Sequence, residues 1–185
     1  MSYPESIQVW IEPRQASESR VRAALSAYTG LPDTSFELAR EAKGKPYVVD
    51  SDLAFSVSHS GEWMAIAVGR NCRLGIDLEC LTRKVYNRDK LVSRFFSTQE
   101  QAVYNALEDA EKQLGFFRAW CRKEAVVKAM GSGISYGLDR FDVSMSEHAE
   151  LLEIRDETES VESWKLYNLT GLPDGFIGAL AVAVR

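Results

Sequence analysis

The sequence predicts an α/β (α+β) fold in which two similar α/β halves, related by a pseudo-two-fold axis, form a pseudo-dimer within one chain. The chain has 185 residues, of which 45% are hydrophobic, so it is long enough to bury a core. Segments with helical and with β-type patterns alternate along it. Residues 55–60 (FSVSHS) and 141–146 (FDVSMS) share Phe, Val and two Ser at the same positions, which favours an internal duplication. The cleft between two such halves is the predicted ligand site.

The first half, residues 1–85, begins with a predicted strand and helix. Residues 7–12 (IQVWIE) are apolar and rich in β-branched side chains, which favours a strand. Residues 17–28 are predicted to form a helix that Ser17 caps at its start and Gly30 closes at its end. A short extended segment (FELA) and a turn (KGKP) then lead into the remaining strands of this half.

Three strands follow, and two acids share one face of the third. The run LAFSVSHSGEWMAIAVG indicates two strands joined at residues 59–62, and NCRLGIDLE indicates the third. Asp77 and Glu79 are two residues apart in GIDLE, so both point to the same face, together with Gly75. At roughly 6–7 Å, two ionised acids repel by about 2–3 kcal/mol at an effective dielectric of about 20. Either water at a strand end screens this repulsion or a cation lies between the acids, and Gly75 leaves room for a close neighbour such as a ligand.

The second half, residues 86–185, is predicted to contain two long helices and four strands. SRFFSTQEQAVYNALEDAE is predicted as one helix in which Thr98 and Gln101 form a capping box. GFFRAWCRKEAVVKAM is predicted as a second helix that ends at Gly131. The four strands predicted after it are FDVSMS, LLEIRD, SWKLYNL and FIGALAVAV.

A third acid, Glu124, lies on the second of these helices, four residues before Lys128 and on the same face. One interpretation is a solvated ion pair worth a few tenths of a kcal/mol. The apolar neighbours in EAVVKAM leave little solvated surface, which favours a site instead. If Glu124 lies beside Asp77 and Glu79, three carboxylates and water form a suitable ligand set for Mg²⁺.

Two further segments are candidates for phosphate contacts. His59 lies in VSHSG, where Ser58 and its neighbours supply small donors of the kind that phosphate-binding turns use, although the motif is not a P-loop. The alternative is a turn histidine bonded to the backbone. In KGKP, Lys43 and Lys45 can reach a phosphate if this turn faces the cleft.

Composition and charge limit the partners. The net charge of −5 and the pI near 5.2 argue against nucleic acid, which needs a basic surface. No apolar run reaches the roughly 18–20 residues that span a bilayer, so no membrane partner is predicted. The three cysteines lack the spacing of a disulfide framework or zinc site, which indicates reduced thiols in a cytoplasmic protein. Residues 83–94 carry five basic side chains and one acid, and form either a solvated face or a docking surface for an acidic protein.

In combination, these motifs resemble the 4′-phosphopantetheinyl transferases of the Sfp-like, two-halved type. The resemblance covers roughly residues 43–145 and depends on KGKP, FSVSHS, GIDLE, RFFSTQE and WCRKEAVVKA in that order. It implies transfer of phosphopantetheine from coenzyme A to a serine of an apo acyl or peptidyl carrier protein, with release of 3′,5′-ADP. It also implies that the carrier protein, which is typically acidic, docks near residues 83–96 (Arg83 to Phe96).

The resemblance implies a role for each candidate residue. The metal ligands, for Mg²⁺ or Mn²⁺, would be Asp77, Glu79 and Glu124. The catalytic residues would be Glu124, which accepts the serine proton, Lys128 and His59. The coenzyme A contacts would be Lys45, Pro46, Ser58, His59 and Lys128. At the N-terminus, where the resemblance is weakest, the candidates for the 3′-phosphate of coenzyme A are Arg20, Arg22 and Lys43.

Two other functions are compatible with parts of the pattern. Acids and a lysine also form the sites of metal-dependent nucleases and phosphoesterases, but here the Glu–Lys spacing is helical and the net charge is wrong for DNA. A carrier-binding module without activity would be favoured if one of the three acids were missing, and all three are present.

Overall fold

Strands and helices alternate along the residues that the computed structural model describes, which are 3–14, 16–133 and 136–184. The strands are β1 (Ile7–Pro13), β2 (Leu38–Arg40), β3 (Pro46–Val48), β4 (Leu53–Ser60), β5 (Trp63–Arg70), β6 (Cys72–Cys80), β7 (Phe141–Val143), β8 (Leu151–Ile154), β9 (Trp164–Asn168) and β10 (Phe176–Val184). The helices are α1 (Ser17–Thr29), α2 (Arg88–Phe95), α3 (Thr98–Ala106) and α4 (Asp109–Met130). Within these ranges, no helix has the length and apolar character needed to cross a membrane. The mixture of helices and strands confirms the predicted α/β (α+β) class.

The strands pair antiparallel and form two three-stranded sheets and two smaller pairs. The strand order is β1-β5-β4 in one sheet and β6-β10-β9 in the other, and the smaller pairs are β2–β3 and β7–β8. Strand β10 pairs with β6 along its whole length, from Phe176 opposite Cys80 to Val184 opposite Cys72. The last strand of the described residues is therefore the central strand of the sheet that carries Asp77.

Helices α1 and α4 cover these sheets and bury most of the core. Helix α4 packs across β6 and β10, and contributes Phe116 and Val126 to the largest cluster of buried side chains. Helix α1 packs against β4 and β5 through side chains such as Leu25 and Met64. Because each fully buried side chain of this size contributes roughly 1.5–3 kcal/mol, the position of α4 against β6 is strongly fixed.

The structure corrects the prediction of a single helix through SRFFSTQE. Phe96 has extended backbone angles (φ −96°, ψ 146°) and separates α2 from α3. Ser97 Oγ accepts the N–H of Glu100 at 3.1 Å, and Glu100 Oε2 accepts the N–H of Ser97 at 2.9 Å. The capping box is therefore formed by Ser97 and Glu100, not by Thr98 and Gln101, because the extended residue places the cap one position earlier.

The ends of α1 and α4 agree with the sequence at the two C-termini, whereas α4 begins at Asp109 and not at the predicted Gly115. Helix α1 begins at Ser17, so the N-cap position falls to Ala16 and the prediction that Ser17 caps the helix is wrong. Gly30 and Gly131 end α1 and α4 as predicted, both in the left-handed conformation that favours glycine. The predicted turn at residues 59–62 is also shorter, since β4 continues through Ser60.

Gly75 lies on β6 at the point where α4 crosses the strand. A Cβ at this position would overlap the carbonyl oxygen of Ala125 and the amide nitrogen of Ala129, which are both backbone atoms of α4. The close neighbour that Gly75 admits is therefore a helix and not a ligand, which corrects the sequence prediction. This approach brings one turn of α4, from Glu124 to Lys128, against the part of β6 that follows Gly75.

We expect Gly75→Ala to destabilise the protein by about 1–3 kcal/mol, because the backbone of α4 has to shift to admit the methyl group. Urea unfolding measures the change in the free energy of unfolding. An unchanged unfolding midpoint would contradict the close contact between β6 and α4.

The two similar sequence segments differ in structure over part of their length. FSVSHS lies wholly within β4, whereas only Phe141–Val143 of FDVSMS forms a strand. Ser144 leaves this strand because its N–H donates to the carbonyl oxygen of Glu150 at 3.0 Å, which closes a loop. The pseudo-two-fold axis and the division into residues 1–85 and 86–185 stay predictions.

Candidate functional site

A cavity of about 490 Å³ lies between helix α1, the turn that joins β2 to β3, strand β4 and the C-terminal half of α4. Apolar side chains such as Val21 and Phe55 form part of its wall. Its charged lining consists of four basic and two acidic side chains, which are Arg40, Lys43, Lys45, Lys128, Glu18 and Glu124. The cavity is therefore cationic inside a chain of net charge −5, which suits an anionic ligand that also has an apolar part.

This cavity collects five of the eight residues that the sequence singles out. The five are Lys45, Pro46, His59, Glu124 and Lys128. The other three are 5–8% exposed and do not line the cavity, and they are Ser58, Asp77 and Glu79. Lys128 connects the two groups, since it lines the cavity and contacts the buried group.

One carboxylate oxygen of Asp77 is hydrogen-bonded to two side chains, and the other to none among the described residues. Oδ1 lies 2.7 Å from Nζ of Lys128 and accepts the hydroxyl of Ser58 at 2.9 Å. Lys128 Nζ also donates to Ser58 Oγ and to the carbonyl oxygen of Ile76, both at 3.1 Å. The other oxygen, Oδ2, is buried and has no hydrogen-bond partner in the described part of the chain. A buried carboxylate oxygen in this condition is costly, so Oδ2 is available to a ligand.

The other two predicted acids are coupled to Asp77 by charge. Burial and then the charge of Asp77 raise the pKa of Glu79, and the same two causes in the same order raise the pKa of Glu124. Glu79 Oε2 accepts the hydroxyl of Ser60 at 3.2 Å, and Oε1 accepts from Arg83 Nη2 at 2.8 Å. Burial raises the pKa of the Cys121 thiol, and the charges of Asp77 and Glu79 raise it further.

These carboxylates do not form a ready metal site. Within the described ranges, no three Asp, Glu, His or Cys side chains lie close enough together to hold an ion. Instead, Lys128 pairs with Asp77 and Arg83 pairs with Glu79. The assignment of Asp77, Glu79 and Glu124 as metal ligands, and the choice between Mg²⁺ and Mn²⁺, therefore stay predictions.

The local sequence explains how Lys128 and Lys45 reach their positions. Lys128 lies one helical turn after Glu124, on the face of α4 that Gly75 allows close to β6. Lys45 follows the turn between β2 and β3, and its Nζ donates to the carbonyl oxygen of Ala129 at 2.8 Å. A cation at the C-terminal end of a helix interacts favourably with the free carbonyls and the helix dipole. The KGKP turn is thereby attached to α4 at the rim of the cavity.

Two of the candidates for the 3′-phosphate are engaged with other groups. Arg20 pairs with Glu12, and Arg22 donates to Glu18 and to the carbonyl oxygen of Phe36. Lys43 is exposed and lines the cavity. The structure therefore places only Lys43 of this group at the site.

Sequence reasoning missed several residues that support the site. Ser56 and Ser60 form hydrogen bonds to β6, and the alternation of serines in FSVSHS was the signal for them. Arg83 was assigned to a docking segment, yet its side chain pairs with Glu79. Lys123 precedes Glu124 and is fully buried. Lysines are rarely buried in proteins, and no local sequence pattern indicates that this one is.

Comparison with known proteins identifies a family. The family model described as 4′-phosphopantetheinyl transferase superfamily matches residues 73–184, a range that includes Asp77, Glu79, Glu124 and Lys128. The 4′-phosphopantetheinyl transferase HetI of Nostoc sp. is 33% identical over 174 residues, which cover 91% of this chain and 69% of that protein. The 4′-phosphopantetheinyl transferase Sfp of Bacillus subtilis is 30% identical over 138 residues, which cover 74% of this chain and 60% of that protein.

The crystal structure of Thermotoga maritima holo-[acyl-carrier-protein] synthase (AcpS) is also similar to part of this chain. It has a TM-score of 0.47 and 19% sequence identity over 60% of this chain and 62% of that chain. A likeness at this level supports no conclusion by itself. The family assignment therefore depends on the sequence relatives. This chain spans only 54% and 60% of the lengths of two of them.

Proposed function

Because this chain belongs to the 4′-phosphopantetheinyl transferase superfamily, we propose that it transfers phosphopantetheine from coenzyme A to a serine of an apo acyl or peptidyl carrier protein, with release of 3′,5′-ADP. The observation that carries this proposal is the contact between Lys128 and Asp77 at the wall of the cationic cavity. At this place a lysine ammonium group that suits phosphate lies beside a buried carboxylate, and the adjoining cavity has the size that small cofactors occupy.

Coenzyme A suits the cavity in charge and in shape. It carries three phosphate groups as well as an adenine and an uncharged pantetheine arm with apolar methyl and methylene groups, and the cavity combines basic side chains with apolar walls. Lys45, Pro46, His59 and Lys128 line the same space, so one ligand can contact all four. We assign Lys43 to the 3′-phosphate, since it lines the cavity whereas Arg20 and Arg22 contact other groups. Ser58 would act from behind the wall, through its bond to Lys128.

The chemistry of the three carboxylates fits a divalent cation, although among the described residues they do not lie close enough together to hold one in this structure. Asp77, Glu79 and Glu124 offer carboxylate oxygens, which are the ligands that Mg²⁺ prefers, and buried Oδ2 of Asp77 has no other partner among the described residues. We propose that these three residues hold Mg²⁺, with Mn²⁺ as a substitute. When bound, such an ion neutralises charge on the pyrophosphate of coenzyme A.

The proposed step forms one P–O bond and breaks another. The carrier serine hydroxyl attacks the phosphorus that bears pantetheine, and the bond from this phosphorus to the bridging oxygen breaks, so that 3′,5′-ADP leaves. Glu124 accepts the serine proton, directly or through a water. Lys128 stabilises the charge that develops on the transferred phosphate.

The carrier protein is proposed to dock on the basic segment from Arg83 to Phe96. This segment leads from β6 into α2, and its side chains Lys84, Lys90 and Arg94 are exposed. Arg88 is less suited to a partner, because its Nε donates to the hydroxyl of Tyr104 at 2.7 Å. Exposed basic side chains beside the site can attract an acidic partner and orient it.

We expect Lys90→Glu to raise the KM for the carrier protein severalfold and to leave the KM for coenzyme A unchanged, because Lys90 lies in the basic segment and not in the cavity. Lys165→Glu is the matched control, since Lys165 is also exposed but lies on β9. Equal effects of the two variants, or a parallel rise in both KM values, would contradict docking at this segment.

Two finer assignments complete the proposal. We propose that the chain consists of two related halves, 1–85 and 86–185, because the candidate residues come from both: Asp77 and His59 from the first, Glu124 and Lys128 from the second. We also propose a cytoplasmic location, in which the three cysteines Cys72, Cys80 and Cys121 would stay reduced.

Intact-mass spectrometry tests the proposed activity. Apo carrier proteins of fatty-acid, polyketide and peptide synthesis are incubated with the protein, coenzyme A and Mg²⁺. We expect one carrier to gain the mass of a single phosphopantetheine group, and we expect EDTA or replacement of the carrier serine by alanine to prevent this gain. The absence of any gain on all the carriers would contradict the proposal.

A further inference from the structure

Three serines at alternate positions of β4 connect the two larger sheets. They point to one face of the strand and are 6–8% exposed. Strands β4 and β6 belong to different sheets, and β6 reaches β4 through backbone N–H groups that donate to serine hydroxyls. These bonds are 3.0–3.2 Å long and join Ile76 to Ser56, Leu78 to Ser58 and Cys80 to Ser60.

Two of the three hydroxyls also contact a carboxylate of β6. Ser58 Oγ lies 2.9 Å from Asp77 Oδ1, and Ser60 Oγ lies 3.2 Å from Glu79 Oε2. The direction of these bonds follows from chemistry, since a backbone N–H only donates and a carboxylate only accepts. The one hydroxyl proton of each serine therefore goes to the carboxylate. Each of these serines links a backbone group of β6 to an acidic side chain of the same strand.

We propose that Ser60 is a positioning residue that orients Glu79 toward a divalent cation. This inference depends on the proposed function, in which Glu79 is a metal ligand. Arg83 contacts the other oxygen of Glu79, but its side chain is 49% exposed, so water and salt weaken that constraint. The hydroxyl of Ser60 is buried and is itself fixed by the N–H of Cys80. Groups that fix a metal ligand in this way typically change metal affinity by about 10–100-fold.

Ser56 provides a matched control within the same strand. Its hydroxyl accepts the N–H of Ile76 at 3.1 Å, and it is as buried as Ser60. The residue of β6 that corresponds to Asp77 and Glu79 in this spacing is Gly75, which has no side chain. Removing the Ser56 hydroxyl therefore removes the contact between the sheets without touching an acid. Ser58 is less suitable as a test, because Lys128 also donates to it.

The test measures Mn²⁺ binding without coenzyme A, by electron paramagnetic resonance of free Mn²⁺, in four proteins: wild type, Ser56→Ala, Ser60→Ala and Ser60→Thr. We expect Ser60→Ala to raise the Kd for Mn²⁺ about tenfold. We expect Ser56→Ala to keep the wild-type Kd, although both alanine variants lose a bond to a backbone N–H of β6 and should both lower the unfolding temperature. Ser60→Thr should restore the Kd, since it restores the hydroxyl.

The outcomes separate this inference from the proposed function. Equal Kd values for Ser56→Ala and Ser60→Ala, in a protein that still modifies a carrier, would overturn the role of Ser60 and leave the function intact. A selective loss in Ser60→Ala, in a protein that modifies no carrier, would support the role of Ser60 and overturn the function. Wild-type protein that binds no Mn²⁺ would overturn the inference, because there would be no cation for Glu79 to meet.

Discussion

Replacement of Glu124 by glutamine is expected to lower kcat/KM for carrier modification about a thousandfold, while the fold stays intact. An amide neither accepts the serine proton nor offers a charged oxygen to a cation, and general-base catalysis alone typically contributes about 10²–10⁴-fold. Stability should not fall, because burial and the charge of Asp77 already oppose ionisation of Glu124 and raise its pKa. A neutral side chain of the same shape removes that repulsion. Steady-state transfer and thermal unfolding measure the two effects.

Glu111→Gln is the matched control for this variant. Glu111 is an exposed acid in the first turn of the same helix, α4, and does not line the cavity. It should keep the wild-type kcat/KM. Glu124→Gln protein that retained a tenth or more of the wild-type value would contradict the roles assigned to Glu124.

Replacement of Lys123 by methionine is expected to lower the free energy of unfolding by about 3–5 kcal/mol. Lys123 is fully buried, and its Nζ donates to the carbonyl oxygens of Leu138 and Phe141, both at 2.6 Å. It also pairs at 2.7 Å with Glu100, which is 3% exposed. Glu100 in turn accepts the N–H groups of Ser97 and Val143, at 2.9 and 2.8 Å. Methionine fills the volume but leaves the buried Glu100 carboxylate without its cation and takes the Nζ donor away from two carbonyls.

Urea unfolding of Lys123→Met and Lys112→Met separates the buried pair from an exposed one. Lys112 pairs with Asp109 on the same helix, but the side chain of Asp109 is 96% exposed. Lys112→Met should therefore unfold at the same urea concentration as wild type. If both variants lower the free energy of unfolding by the same amount, the Lys123–Glu100 pair does not hold α4 in place. Because Glu124 follows Lys123, the result also shows how firmly the candidate base is supported.

The parts of the site that could be predicted from the sequence have local signals. The spacing of Asp77 and Glu79 places both on one face of a strand whatever the strand packs against. The spacing of Glu124 and Lys128 does the same on a helix, and Gly131 marks where that helix ends. These short-range rules therefore identified the acids and the lysine before any contact between them was known.

The contacts between these elements depend on packing that local patterns do not encode. Gly75 could admit a ligand or a helix, and only the crossing of α4 decides between them. Lys123 and Lys128 are five residues apart on α4, yet one pairs with Glu100 in the core and the other with Asp77 at the cavity. Ser97 caps α3 because the chain is extended at the residue before it, a feature that the helical pattern of the segment concealed.

Diffraction from crystals grown with Mn²⁺ and coenzyme A, recorded at a wavelength where Mn²⁺ scatters anomalously, tests the central claim most directly. The claim is that Asp77, Glu79 and Glu124 hold a divalent cation at the wall of the cavity that binds coenzyme A. It predicts one anomalous peak in direct contact with oxygens of all three carboxylates, with Lys128 turned toward a phosphate. Coenzyme A bound in the cavity with no peak at these carboxylates, and with Lys128 still paired to Asp77, would contradict it.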